Sequence, residues 1–132
     1  MDVVEAALRW LAEDGGEHGL DAKRMALFGI SAGGHLVSLL GTSQRVAALE
    51  GRVGVADGHT PEAPPPLAAV ANYCGVANFL TFPGKGSAIN EEDPKGPIAQ
   101  LLGGLMSRHL DLARIASPVT YITSDDPPFL HI

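Results

Sequence analysis

Cysteine is nearly absent from this chain. Cys74 stands alone in 132 residues, which excludes an internal disulfide. Placed beside an apolar run, it reads as a small buried residue in or near a strand. Basic residues are scarce as well. Nine Lys and Arg stand against fifteen Asp and Glu, for a net charge of −6 and a pI near 5.2. They form no cluster, which argues against nucleic acid or an anionic membrane as the main partner. Long apolar runs are missing too. The longest, Leu67 to Leu80, is interrupted by Asn72 and Asn78 and is shorter than the ~20 residues of a membrane-spanning helix. The opening Met1-Asp2-Val3-Val4-Glu5 is acidic and helix-like, unlike a secretory leader. No internal repeat occurs, and the only low-complexity stretch is Pro64-Pro65-Pro66.

What is present is an ordinary globular composition, 45% apolar, at a length sufficient for one domain with a core. Residues 2–14 are expected as a helix. Val4, Ala7, Leu8 and Leu11 form its apolar stripe, flanked by Val3 and Trp10. Asp2, Glu5, Arg9 and Glu13 take the other side. Gly15-Gly16 ends it, and Asp21 can cap a short turn through Lys23. Arg24 to Gly29 reads as a short, nearly continuous apolar strand, of the kind covered on both faces in parallel sheets. Ala32 to Gly41 reads as the next helix, and Gln44 to Leu49 extends or follows it. Residues 51–66 are loop, and Leu67 to Tyr73 is a second strand. Phe79 to Pro97 is a Gly-, Pro- and charge-rich excursion. Ile98–Leu102 and Arg108–Ile115 are expected as short helices, and Phe129 to Ile132 as a third strand. This alternation predicts βαβ units, a parallel sheet and the α/β class.

One motif carries chemistry. Gly29-Ile30-Ser31-Ala32-Gly33 spells G-x-S-x-G between an apolar strand and a helix, the context of a nucleophile elbow. With 16 glycines in the chain the bare pattern is weak; the flanking strand and helix give it weight. An elbow lifts Ser31 above the carboxyl edge of the sheet, where ligands bind in open α/β folds. The Ala32 N–H, at the helix start, can face a developing oxyanion. Gly29, Gly33 and Gly34 are expected to permit close approach of helix and strand.

A serine nucleophile also needs a base and an orienting acid. Asp57 and His59 precede the second strand, and Asp125 and Asp126 precede the third. They enter at the opposite edge and read as turn formers. His35 lies four residues past Ser31, inside the helix. An elbow serine projects away from its helix, so packing or a supporting hydrogen bond suits His35 better than base catalysis. His18 sits in a connector, His109 beside Asp111 in a helix, and His131 on the last strand. Asn78 is just past the second strand, at the correct edge. Its amide cannot act as a base but could line the substrate site.

Further stretches extend the pattern: Leu8-Arg9-Trp10-Leu11, Gly19-Leu20-Asp21-Ala22-Lys23-Arg24, Gly29 through Leu36, Leu101-Leu102-Gly103-Gly104, Ala116-Ser117-Pro118-Val119 and Asp125 to Leu130. In this order they resemble the α/β-hydrolase esterases of the carbohydrate/feruloyl-esterase-like (BD-FAE-like) type, related to the hormone-sensitive-lipase group. The likeness runs over nearly the whole chain. It implies a three-layer α/β-hydrolase fold, here incomplete, with Ser31 as nucleophile and the Ala32 N–H as half of an oxyanion hole. It implies an ester substrate, small or carbohydrate-linked, and neither cofactor nor metal. It also implies a His-Gly-Gly loop upstream of Met1, and a His-Gly turn, acid Asp and base His downstream of Ile132. Residues 1–132 are thus expected to be part of a catalytic domain cut at both ends, since such domains need roughly 250 residues. One departure is Asn78, which stands where these enzymes often carry Asp.

Three functions stay open on the sequence. The first is a serine ester hydrolase, with related peptidases and formamidases leaving the bond type unsettled. The second is a non-catalytic hydrolase-fold binding protein or remnant. The third is an unrelated α/β protein with Ser31 in an anion-binding turn.

Overall fold

The computed structural model describes residues 2–53, 55, 64–82 and 89–132. Helix α1 (Asp2–Glu13) is followed by strand β1 (Ala26–Ile30) and helix α2 (Ala32–Ser43). Strand β2 (Ala69–Tyr73), the short helices α3 (Pro97–Leu102) and α4 (Leu110–Ile115), and strand β3 (Phe129–His131) complete the order. All three strands are parallel, in the order β1-β2-β3, as the helix–strand alternation predicts. Gln44 to Leu49 yields only a 3-10 turn, Ala47–Leu49.

The register explains which side chains meet. Leu27 pairs with Val70, which pairs with Phe129; Gly29 pairs with Asn72, which pairs with His131. Strand side chains alternate between faces, so these six share one face. There α1 and α2 cover the sheet: Leu8, Val37, Leu40, Leu67 and Val70 form the core, with Val4, Met25, Leu27 and Phe129 packed against it. At Gly41 α2 lies close against the strands, since a Cβ there would crowd Val70 and Phe129.

Cover on both faces, expected for β1, is not found among the described residues. Phe28 is 65% exposed, Ile30 56% and Leu130 57%, all on the face away from α2. The near-continuous apolar character of β1 therefore serves two faces, of which these elements bury one. Two details of α1 also differ from its periodicity. Val3 and Trp10 are exposed, whereas Glu5, assigned to the polar side, is buried. The Glu5 carboxylate accepts a hydrogen bond from the Gly51 N–H, and Arg9 donates to Gly51 O at 3.2 Å and Val53 O at 2.9 Å. Burial of a carboxylate is tolerable once such a donor meets it.

A second cluster joins Phe79 to Ile98, Leu102 and Ala113. Phe79, taken with the 79–97 excursion in the sequence, is 3% exposed and belongs to this core. Its N–H is received by the buried Ser117 Oγ at 2.9 Å, which in turn donates to Ala113 O at 2.7 Å.

Candidate active site

Strand β1 ends at Ile30 and α2 begins at Ala32, so one residue makes the whole turn. Ser31 does so with φ 54° and ψ −119°, a region that costs a non-glycine residue about 1–3 kcal/mol. Its backbone is held on both sides. The Ser31 N–H donates to Tyr73 O at 2.8 Å, continuing the sheet, and Ser31 O accepts from His35 N–H at 3.0 Å, opening the helix. The side chain makes no capping bond to α2 and the residue is exposed. Ala32, also exposed, is the first residue of the helix; N–H groups of a first turn have no partner within the helix and favour negative charge.

Glycine is required here, but not at every expected position. A Cβ on Gly29 would collide with the backbone of Gly33 and Gly34. One on Gly34 would strike Asn72 Oδ1 and lie 3.0 Å from Gly29 O. One on Gly33 would meet nothing within 4 Å. The close approach thus runs through Gly29 and Gly34, while Gly33 has room. A further glycine, Gly75, carries no signal in the sequence, yet a Cβ there would strike His35 N and Gly34 C. In the sequence Asn72 reads only as an interruption of an apolar run. A polar residue inside a strand whose neighbours are buried was the signal that could have found it.

Asn72 is 2% exposed. Its Nδ2 donates to Gly75 O at 3.2 Å and its Oδ1 accepts from Gly75 N–H at 2.7 Å. Between them Cys74, exposed and not buried as its composition implied, takes φ 51° and donates its N–H to Ile132 O at 2.7 Å. His35 is buried beneath this turn. Its Nδ1 lies 3.0 Å from Val76 O, which makes that nitrogen the protonated one, and its ring meets Phe79 edge-on at 5.0 Å. Burial pushes its pKa below 6.5, outweighing the carbonyl, which acts the other way. His35 is therefore a neutral structural imidazole, as its place in the helix argues.

None of the other titratable candidates among the described residues is hydrogen-bonded to Ser31. Asp126 accepts from Thr123 N–H and Thr123 Oγ1, both at 2.9 Å, the turn role expected of it. Asp125 faces Arg45 at 3.4 Å. The His18 ring packs on Trp10 at 5.4 Å. His109 precedes α4, against Gly104. His131 is two strands from Gly29, about 10 Å by sheet spacing, stacked on Phe129. Asp57 and His59 lie outside the described residues. Asn78 Oδ1 accepts from Leu80 N–H at 2.9 Å, closing a turn beyond the carboxyl end of β2. No group of three or more metal-ligating side chains occurs among the described residues, and none of their helices is long and apolar enough to cross a membrane.

Similarity to known proteins agrees with this arrangement. Esterase LipQ of Mycobacterium tuberculosis is 30% identical over 129 residues, 96% of this chain and 27% of that protein. The bifunctional GH43-CE protein of Bacteroides eggerthii superposes with a TM-score of 0.81 at 29% identity, over 98% of this chain and 19% of that one. Esterase B of Lactobacillus rhamnosis superposes at 0.65 with 29% identity, over 98% and 38%. The chain therefore spans well under half the length of each. Its sheet and helices are part of an α/β-hydrolase fold, which removes the reading as an unrelated α/β protein. With the family's sequence model matching residues 1–132, the chain belongs to the BD-FAE family.

Proposed function

We propose that the protein carrying this chain is a serine ester hydrolase, with Ser31 as nucleophile and the Ala32 N–H as one oxyanion donor. The observation that carries this reading is the backbone of Ser31: φ 54° at a one-residue turn from β1 into α2, with the side chain exposed at the carboxyl edge. Strain of this size persists where the surroundings impose it, as at functional turns. Gly29 and Gly34 serve the close approach behind it, and Asn78, beyond β2, would line the substrate site.

In this mechanism the Ser31 Oγ attacks the ester carbonyl carbon while a base takes the hydroxyl proton. The carbonyl oxygen gains charge beside the Ala32 N–H. The C–O bond to the alcohol then breaks, the proton passes to that alcohol, and water releases the acid from Ser31. The substrate class is a carboxylic ester, in line with the names of two relatives, with carbohydrate-linked esters included on the family resemblance. No described imidazole or carboxylate is hydrogen-bonded to Ser31, so this reading assigns base and acid to residues outside the described ones. The isolated chain should then turn over little ester.

The test is labelling by a fluorophosphonate, together with steady hydrolysis of p-nitrophenyl acetate, in the full encoded protein. Ser31→Ala should abolish the label and lower kcat by about 10⁶-fold. Retained labelling and turnover in Ser31→Ala would remove Ser31 from the mechanism. A protein that folds but neither labels nor turns over ester or amide would instead support a hydrolase fold used for binding, which a Ser31 side chain with no hydrogen bond to a described base also allows.

A further inference from the structure

We propose that Asn72, with His35, positions the nucleophile turn for acyl transfer; the proposal rests on the reading of Ser31 as nucleophile. Asn72 lies on the face of β2 that meets α2, fully enclosed. An amide buried in a strand costs free energy unless its groups are bonded. Here both ends are spent on one residue, Gly75, through its N–H and its carbonyl. That closes the turn Cys74 to Val76 into a fixed shape.

This turn is a wall against which the nucleophile helix starts. Gly75 abuts the backbone of Gly34 and His35, and Gly34 abuts Asn72 Oδ1 and Gly29 O. Four segments thus meet at one point: the end of β1, the first turn of α2, β2 and the turn after it. His35 adds a second tether from α2 to the same turn, at Val76 O. Tyr73 O, one residue on from Asn72, receives the Ser31 N–H. A shift of the turn would therefore move the start of α2, and with it the Ala32 N–H. Donors for a developing oxyanion work only when placed in advance to within a few tenths of an ångström.

A merely structural Asn72 would alter how much protein folds, not the rate of each folded site. The two are separated by dividing kcat by the Ser31 sites titrated with a fluorophosphonate. Asn72→Asp keeps the acceptor for Gly75 N–H and loses the donor to Gly75 O. At pH 8 it should lower kcat per titrated site by on the order of tenfold or more, with KM little changed. The deficit relative to the parent should shrink at lower pH, as the buried carboxyl takes up a proton and regains an O–H donor. His35→Phe keeps a ring beside Phe79 and drops the bond to Val76 O. It should lower kcat per site without recovery at low pH, and it decides the matter if Asn72→Asp gives no titratable protein. Unchanged kcat per site, or a deficit in Asn72→Asp that ignores pH, would overturn the proposal while leaving Ser31 in place. Full turnover in Ser31→Ala would remove both.

Discussion

Ser31, Gly29 and Gly33 belong to one motif, yet they are held by different forces. Ser31 carries backbone strain, and strain survives only against neighbours that over-determine it. The bonds to Tyr73 O and from His35 N–H supply that constraint. Gly29 is sterically obligatory and Gly33 is not. Gly29→Ala should therefore destabilise by about 2 kcal/mol or more, because backbone must move. Gly33→Ala should be neutral or stabilise by up to ~1 kcal/mol, because alanine restricts the unfolded chain and suits a helix. Urea denaturation of both variants checks this. Equal losses would show that the two glycines are equivalent after all.

Helix α2 is the element on which the site depends. It is buried along most of its length; two of its polar side chains find partners inside, while Ser38 Oγ and Ser43 Oγ find none among the described residues. Thr42 Oγ1 donates to Pro118 O at 3.1 Å, and His35 to Val76 O. Burial of His35 makes α2 sensitive to pH, against the opposing pull of Val76 O. Burial holds the folded-state pKa of His35 below 6.5, so the unfolded chain binds the proton more readily. The stability due to neutral His35 is complete above pH 6.5. It is lost as pH falls below 6.5 towards the folded value, by at most about 1.4 kcal/mol per pH unit. Unfolding free energies at pH 7.5 and 5.5 should show the parent losing more than His35→Gln does. A slope common to both would mean that His35 is free to charge in the folded state.

At the scale of the molecule, the described elements cover the sheet on one face only. The described elements bury Val70, partly bury Leu27 and Phe129, and leave Phe28, Ile30, Tyr73 and Leu130 exposed on the other face. Strands β1 and β3 are both edges among the described strands. Apolar area of this kind favours association. The 132 residues expressed alone should therefore bind 8-anilinonaphthalene-1-sulfonate and self-associate in sedimentation. Phe28→Lys with Leu130→Lys should reduce both without lowering the unfolding midpoint. A monomeric parent with no dye binding would contradict this account of the face.

Much of this was legible in the residues alone. Apolar spacing located α1, the three strands and α2 to within about two residues, and G-x-S-x-G marked the turn that Ser31 makes. Those signals are local: helix and strand periods, and a glycine-bounded turn, depend on near neighbours in the chain. Only the tertiary structure decided that Glu5 is buried against Gly51, that Phe79 belongs to a core, that Gly33 has room where Gly34 has none, and that Asn72 and Gly75 close the wall behind the nucleophile helix. Glu5 and Gly51 are 46 residues apart, and His35 and Val76 are 41 apart. Partners that distant are chosen by how strands register and where a helix lands on them. The polar groups involved look like surface residues until the fold supplies the donor or acceptor that lets each be buried.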